Sequence, residues 1–376
     1  MHRRTFLTAI SAAPALAQTQ PEPEFTPLFD GQTLNGWFVE EGPETAFYAH
    51  DGAIVVHESS GFPTWLRSAK QYENFDFRGE FFIQGWMDSG IYLHAPLHGR
   101  PMWNGMQIHL FQEVDRGAPR PESMGAIFPL VPPLKVNVKN QGQWNSFRIL
   151  MDWPRLRVWT NDEVIHDLDV TTVPELRYRF HQGHLGFESL SYPIRFRNLR
   201  IRELPATDKL ELLYGKPEDF DAKWYISDDK PNPQLLGEVI HMDGHGHIAT
   251  KDKFRDFALQ LFARHVKHHN SGILIRSTGR GFQGRSNEIQ LHDVEGAHYP
   301  TGSLYSIKRS IYPKIEPEVW FPMQVIVKDR NVVVRVNGDT VLEYDQLDNL
   351  IEGNIELQAH SPGLWTEFKD IRVRRI

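Results

Sequence analysis

Hydrophobic and polar positions alternate most clearly between Asn270 and Asp293, in the stretch NSGILIRSTGRGFQGRSNEIQLHD. Ile289 and Leu291 alternate with Glu288, Gln290 and His292, and a period of two sends the apolar pair to one sheet face and the polar three to the other. Ile273 and Ile275 predict a neighbouring strand with the same buried face, and Arg276 is expected to project with the polar set. The loop between them is rich in glycine and arginine. A polar row of this kind is the wet face of an antiparallel sheet or the lining of a groove.

The same short period runs through the chain. Ala53–His57, Phe77–Gln84, Ile91–His94, Phe147–Met151 and Arg155–Trp159 are apolar or β-branched runs bounded by turn residues such as Asp51 and Gly52. Long helical periodicity is absent, which predicts an all-β sandwich.

The second half repeats the first. Asp88-Ser89-Gly90-Ile91 corresponds to Asn270-Ser271-Gly272-Ile273, and the segment NGMQIHL from Asn104 corresponds to RSNEIQL from Arg285. Gln143–Asp169, with its turn at Asp162 and Glu163, parallels Val319–Asp345, where Asn337-Gly338 is a strong hairpin signal. Ile194–Glu203 matches Trp365–Arg374. The expected organisation is a signal peptide at 1–17, a leader at 18–24, one β-domain at 25–204, a linker at 205–210 and a second β-domain at 211–376.

The first residues, MHRRTFLTAISAAPALAQ, pair Arg3 and Arg4 with a short apolar run and a small-x-small stop at Ala15-Leu16-Ala17. This is the pattern of a twin-arginine export signal, so a periplasmic or secreted protein is expected. No other segment approaches the 18 apolar residues or so that a membrane span needs. The chain has no cysteine, which excludes disulfides, thiolate catalysis and cysteine-ligated metals. A net charge of -7 and a pI near 6.2 argue against nucleic acid as a partner. The oligomeric state is left open.

The order of these blocks resembles the 3-keto-disaccharide hydrolase family, once catalogued as a domain of unknown function. The blocks are FTPLFDGQTLNGW (Phe25–Trp37), the Asp51-Gly52 strand opening, an NSGI strand, the strand carrying Glu288 and Gln290, a TGSLY loop, a VNG hairpin and a terminal FKDIRV strand. The resemblance implies two tandem concanavalin-like (glucanase-like) β-jelly rolls with a groove on the concave sheet. It also implies exported chemistry on glycosides already oxidised to a ketone at sugar carbon 3. Such a ketone acidifies the carbon 2 hydrogen, so elimination at carbon 1 followed by hydration gives net hydrolysis.

Glu288 and Gln290 keep the family's positions in the second half, whereas the first half has Gln107 and His109, with His94 where the second half has Arg276. The element Leu357-Gln358-Ala359-His360 is replaced by Phe187-Glu188-Ser189-Leu190. The active site is therefore expected in the second domain and a degenerate one in the first. Glu288 or His292 would be the base, Arg276 the enolate stabiliser and His360 the acid or second base. Gln290, Tyr305, Gln358 and Trp365 would bind an oxidised carbohydrate. A two-carboxylate glycosidase is disfavoured, since the strand offers one carboxylate and Asp293 has the wrong parity. A non-catalytic carbohydrate-binding protein is the alternative.

His241, His245 and His247 have the composition of a metal site, but the repeat aligns them with a turn opening a strand (Ala49–Val55), so a structural role is expected. His265, His268 and His269 lie just before Asn270 and fit a groove rim, a divalent ion or neither. No cofactor is demanded. Calcium remains open, although no acidic loop has its ligand spacing. Trp65, Trp86, Trp103, Trp320 and Trp365 are candidates for stacking on sugar, with burial the default for an aromatic residue in a sandwich.

Overall fold

A computed structural model of the chain describes residues 24–58, 64–112, 117–207, 210–294 and 296–376. The expected signal peptide at 1–17 and all of the leader except Glu24 lie outside these residues, as do positions 208–209 of the expected linker. Among the described residues no helix is long and apolar enough to cross a membrane.

Four antiparallel sheets form two sandwiches, each pairing an eight-stranded sheet with a five-stranded one. The strand order is the same in both, down to a short N-terminal strand (Thr26–Pro27 or Glu211–Tyr214) that pairs with the long last one. Two separate apolar cores follow, one spanning Trp37 to Ile201 and the other Leu213 to Val373. Register places Phe196 opposite Phe81, and Phe368 opposite Ala263. The equivalent of Ile194 is thus Thr366, and the terminal strands correspond one residue later than the matching of Ile194 with Trp365 implied. The Asn337-Gly338 turn is a two-residue hairpin with φ of 49° and 90°, as its sequence requires. Its counterpart centres on Asn161-Asp162, at 48° and 66°, with Glu163 opening the next strand.

The tip of the Asn337-Gly338 hairpin docks on the first domain. Arg100 donates from Nε and Nη2 to the Asn337 carbonyl at 2.9 and 2.7 Å and pairs with Asp339 at 2.6 Å. The buried Arg335 donates to the Trp103 carbonyl at 3.0 Å and to the Tyr178 carbonyl. A Cβ at Gly338 would lie 2.6 Å from the Trp103 Cβ, so glycine there allows the close approach as well as the turn.

Candidate active site

The five-stranded sheet of the second domain consists of β1 (Trp224–Lys230), β2 (His245–Thr250), β3 (Asn270–Ser277), β4 (Asn287–His292) and β5 (Asn354–Ala359), in the order β1-β2-β5-β3-β4. Ile273, Ile275, Ile289, Leu291 and Leu357 enter the core. Alternation then sends the opposite set to the outer face, and the cross-strand register sorts it into rows. Gly272 faces Gln290, Leu274 faces Glu288, and Asn270 faces His292 on the β3–β4 side. His247 faces Gln358 and Ala249 faces Glu356 on the β2–β5 side.

Glu288 lies across Gly272, where a Cβ would stand 2.3 Å from its Oε1. The bare glycine makes room for the carboxylate to reach over the middle of the sheet. Burial without a compensating cation pushes the Glu288 carboxyl up to about 7. A carboxylate tuned to neutral pH matches the requirement of a general base.

Two side-chain amides flank it. Gln290 donates to Asn270 Oδ1 at 2.7 Å, and Gln358 Nε2 stands 3.2 Å from His247 Nε2. Their carbonyl oxygens are buried and unpaired. Buried acceptors without donors carry a desolvation cost, which a ligand's hydroxyl groups would relieve. His247 is fully buried and held by Asp228 Oδ1 at 2.9 Å, so carboxylate, imidazole and amide form one chain across three strands. His360 and His292 are half-buried on the same side. Burial, then the neighbouring His245, His292 and His247, lowers the pKa of His360, and burial lowers that of His292, which favours neutral imidazoles. Tyr305 is half-exposed beside Glu288, its backbone N–H donating to the Glu288 carbonyl at 2.9 Å.

Two expected residues do not join this group. Arg276 has φ of 45° and sits in a bulge between Leu274 and Ser277, which turns its side chain off the polar row. Its guanidinium is fully buried and donates to the carbonyls of Arg255, Asp329 and Asn349 at 2.6, 2.8 and 2.7 Å and to Asp256 Oδ1 at 2.8 Å. His94 does the same work in the first domain, with φ of 53° and ring nitrogens 3.0 and 2.7 Å from the Phe180 and Glu73 carbonyls. The position is a clamp between loops in both copies. Trp365 shares the outer face of the other sheet with Glu367, its ring 5.6 Å from that of His241, so it is remote from Glu288 in the fold.

The structure adds residues that the sequence reading left out. His245 and His247 belong to this site, and only His241 has the bland role expected of all three, bonded to Glu367 at 3.0 Å on the other sheet. The i, i+2 spacing of His245 and His247 was the available signal. Asp228 had none, because the register shift beside it is invisible in sequence. Glu356 shares a face with Gln358 by simple alternation. It is a second carboxylate, but fully buried, accepting from Ser227 Oγ at 2.6 Å, from the Gly281 N–H at 3.2 Å and from Ser277 Oγ. Those donors leave it to hold the 279–282 loop rather than to flank a sugar.

The first domain rearranges the same parts. Gln107 takes the place of Glu288, lying over Gly90, and Glu188 takes that of Gln358. The carboxylate has thus moved two strands across the sheet, and accepts from Gln107 Nε2 at 2.5 Å and Tyr92 Oη at 2.7 Å. It opens on a cleft of about 570 Å³ between the domains, lined by Trp65, Tyr92 and Trp103 from one and by Lys314, Val319 and Trp320 from the other. Trp86 stays outside it, packed edge-on against Tyr192 at 4.4 Å.

Comparison with known proteins agrees with this duplication. The 3-keto-alpha-glucoside-1,2-lyase-like domain matches residues 24–202 and again 215–374. Among solved structures, a Parabacteroides distasonis protein described provisionally as a glycosyl hydrolase is 22% identical, with 50% of this chain and 99% of that one covered and a TM-score of 0.43. The carbohydrate-binding module CBM66 of Bacillus subtilis is 12% identical, with 46% and 97% covered and a TM-score of 0.33. Comparison with curated proteins gives no match. With both halves matched over nearly their whole length, the chain belongs to the 3-keto-α-glucoside-1,2-lyase-like family, a carbohydrate-active protein built from two tandem copies of its domain.

Proposed function

We propose that the second domain cleaves 3-keto-glycosides by elimination and hydration, with Glu288 as the base. The observation that carries this is a half-buried carboxyl without a bonding partner, raised to about 7 by desolvation, beside unpaired amide oxygens and imidazoles whose pKa is lowered. Glu288 takes the carbon 2 proton, and the electron pair passes to the carbon 3 oxygen as an enolate. The enolate re-forms the ketone, carbon 1 becomes doubly bonded to carbon 2, and the bond from carbon 1 to the leaving oxygen breaks. That oxygen takes a proton from an acid, a role for the minor protonated form of His360, while an activated aryl oxygen leaves without one. Water then adds to carbon 1, and a proton returns to carbon 2.

With Arg276 spent elsewhere, the enolate would be met by an N–H of the half-buried His292, because the Nδ1–H of His247 goes to Asp228 and its Nε2 accepts from Gln358, which fixes that amide with its oxygen free. A neutral imidazole is a competent electrophile in a dry site. Gln290 and Gln358 would accept from sugar hydroxyls, and Tyr305 would border the groove. Residues 1–17 are read as the export signal that takes this activity to the periplasm or beyond.

A base must be ionised, so kcat/KM for an aryl 3-keto-glucoside should rise with pH through about 7 and level off above it. A pH–rate profile flat between 5.5 and 8.5 would remove Glu288 from the role of base.

A second reading applies to the first domain. The Trp65, Tyr92 and Trp103 surfaces and the Glu188 carboxylate in the cleft favour saccharide binding without cleavage. Trehalose should quench tryptophan fluorescence in the Glu288→Gln protein, and Trp103→Ala should abolish that change. An unaltered response in Trp103→Ala would place the binding elsewhere.

A further inference from the structure

At one end of the second sandwich two imidazoles and a carboxylate meet between the sheets. His265 ends the strand Phe257–His265 of the eight-stranded sheet and points inward, in step with Leu259, Leu261 and Ala263. His269 and Asp293 flank β3 and β4 of the five-stranded sheet with the parity that turns them to the same interior. The two histidines are 1% and 0% exposed. Potential ligand atoms of all three residues lie within 4.8 Å of one another, and among the described residues this is the one such group of three or more.

The polar atoms here are not satisfied. His265 Nε2, both ring nitrogens of His269 and Asp293 Oδ1 are buried without a hydrogen-bond partner. His269 Nδ1 stands 3.4 Å from Asp293 Oδ1 without the alignment of a bond. Four unpaired buried atoms in one place call for a compensating group.

The duplication supplies an internal control. Counting back without a gap from Asp88 and Asn270, the residues matching His265 and His269 are Ile83 and Met87, both in the first domain's core and 1% and 0% exposed. The fold itself is therefore content with two apolar side chains, and the imidazole pair answers another need.

We propose that His265, His269 and Asp293 bind a divalent transition metal, zinc foremost, that ties the two sheets of the second domain together. Two imidazoles and one carboxylate are a borderline-soft set that suits zinc and does not suit calcium. His265 Nδ1 faces the Val266 carbonyl at 3.1 Å, which fixes its proton there and leaves Nε2 as the lone-pair atom. The outer carboxylate oxygen of Asp293 accepts from the His268 N–H at 3.2 Å and is oriented by it. The rings now stack 3.5 Å apart and 8° from parallel, whereas tetrahedral ligand atoms stand roughly 3.3 Å apart with their lone pairs converging. Loading therefore requires one ring to turn.

The test uses the full mature chain and the variant His265→Ile/His269→Met, which installs the first domain's own pair. After incubation with zinc and desalting, metal content by mass spectrometry should be one equivalent higher in the parent than in the variant. EDTA should lower the parent's Tm by several degrees and leave the variant's unchanged. Asp293→Asn, which preserves shape, should lose the same equivalent, and it serves in place of the double variant should that not fold. Equal zinc contents, or a parent Tm indifferent to zinc and EDTA, would overturn the proposal.

Discussion

Replacing Glu288 with glutamine should lower turnover of a 3-keto-glucoside by about 10²–10⁴-fold, the usual weight of a positioned base, and at the same time make the protein more stable at pH 8. The second effect follows from burial. The folded carboxyl titrates near 7 against an ordinary 4.5, so the native state holds this proton more tightly than the unfolded one. Stability from this group is then greatest at low pH, falls as pH rises between 4.5 and 7, and is lowest above 7. The shift corresponds to on the order of 3 kcal/mol. Glutamine keeps the shape and removes the charge, so its gain in Tm should be large at pH 8 and vanish near pH 4. Chemical denaturation at the two pH values measures this directly. A variant that is inactive and no more stable at pH 8 than its parent would show that Glu288 is not held against its own ionisation.

Arg276→Ala should instead cost stability, about 3–5 kcal/mol, as expected on removing one partner of a buried charge pair. The loss strands the carbonyls of Arg255, Asp329 and Asn349 and leaves Asp256 without its partner. Lysine should rescue little, because a single ammonium cannot span these four acceptors as a guanidinium fork does. Urea unfolding reads the effect. The fraction that remains folded should still cleave substrate at the parental rate. A stable but inactive Arg276→Ala would restore the residue to the chemistry.

These two residues show what alternation reveals and where it stops. Glu288, Gln290 and His292 were legible because a regular strand obeys a period of two, and β4 is regular over its length. The duplication was legible because turn residues such as Asp51-Gly52 and Asn337-Gly338 are tied to backbone geometry. Arg276 was misplaced because a bulge between Leu274 and Ser277 resets the parity, and an arginine adopting positive φ leaves no mark in the sequence. Trp365 was misplaced because a sequence gives each strand's faces but not which sheet of a sandwich the strand joins. The relay from Asp228 through His247 to Gln358 spans residues far apart in the chain, so strand order alone brings it together. Likewise the movement of the carboxylate from the place of Glu288 to that of Gln358 reads as mere loss in the sequence of the first domain. The sheet order shows it as a transfer across the same face, to Glu188.

A ketone at carbon 3 licenses removal of the carbon 2 proton, and solvent deuterium reports that step. The protein is incubated in D₂O with an aryl 3-keto-glucoside and, separately, with the unoxidised aryl glucoside, alongside controls without protein. Phenol should be released from the ketone alone, with deuterium at carbon 2 of the 3-keto-glucose formed. Cleavage of the unoxidised glycoside at a comparable rate, or cleavage of the ketone with protium retained at carbon 2, would contradict this mechanism.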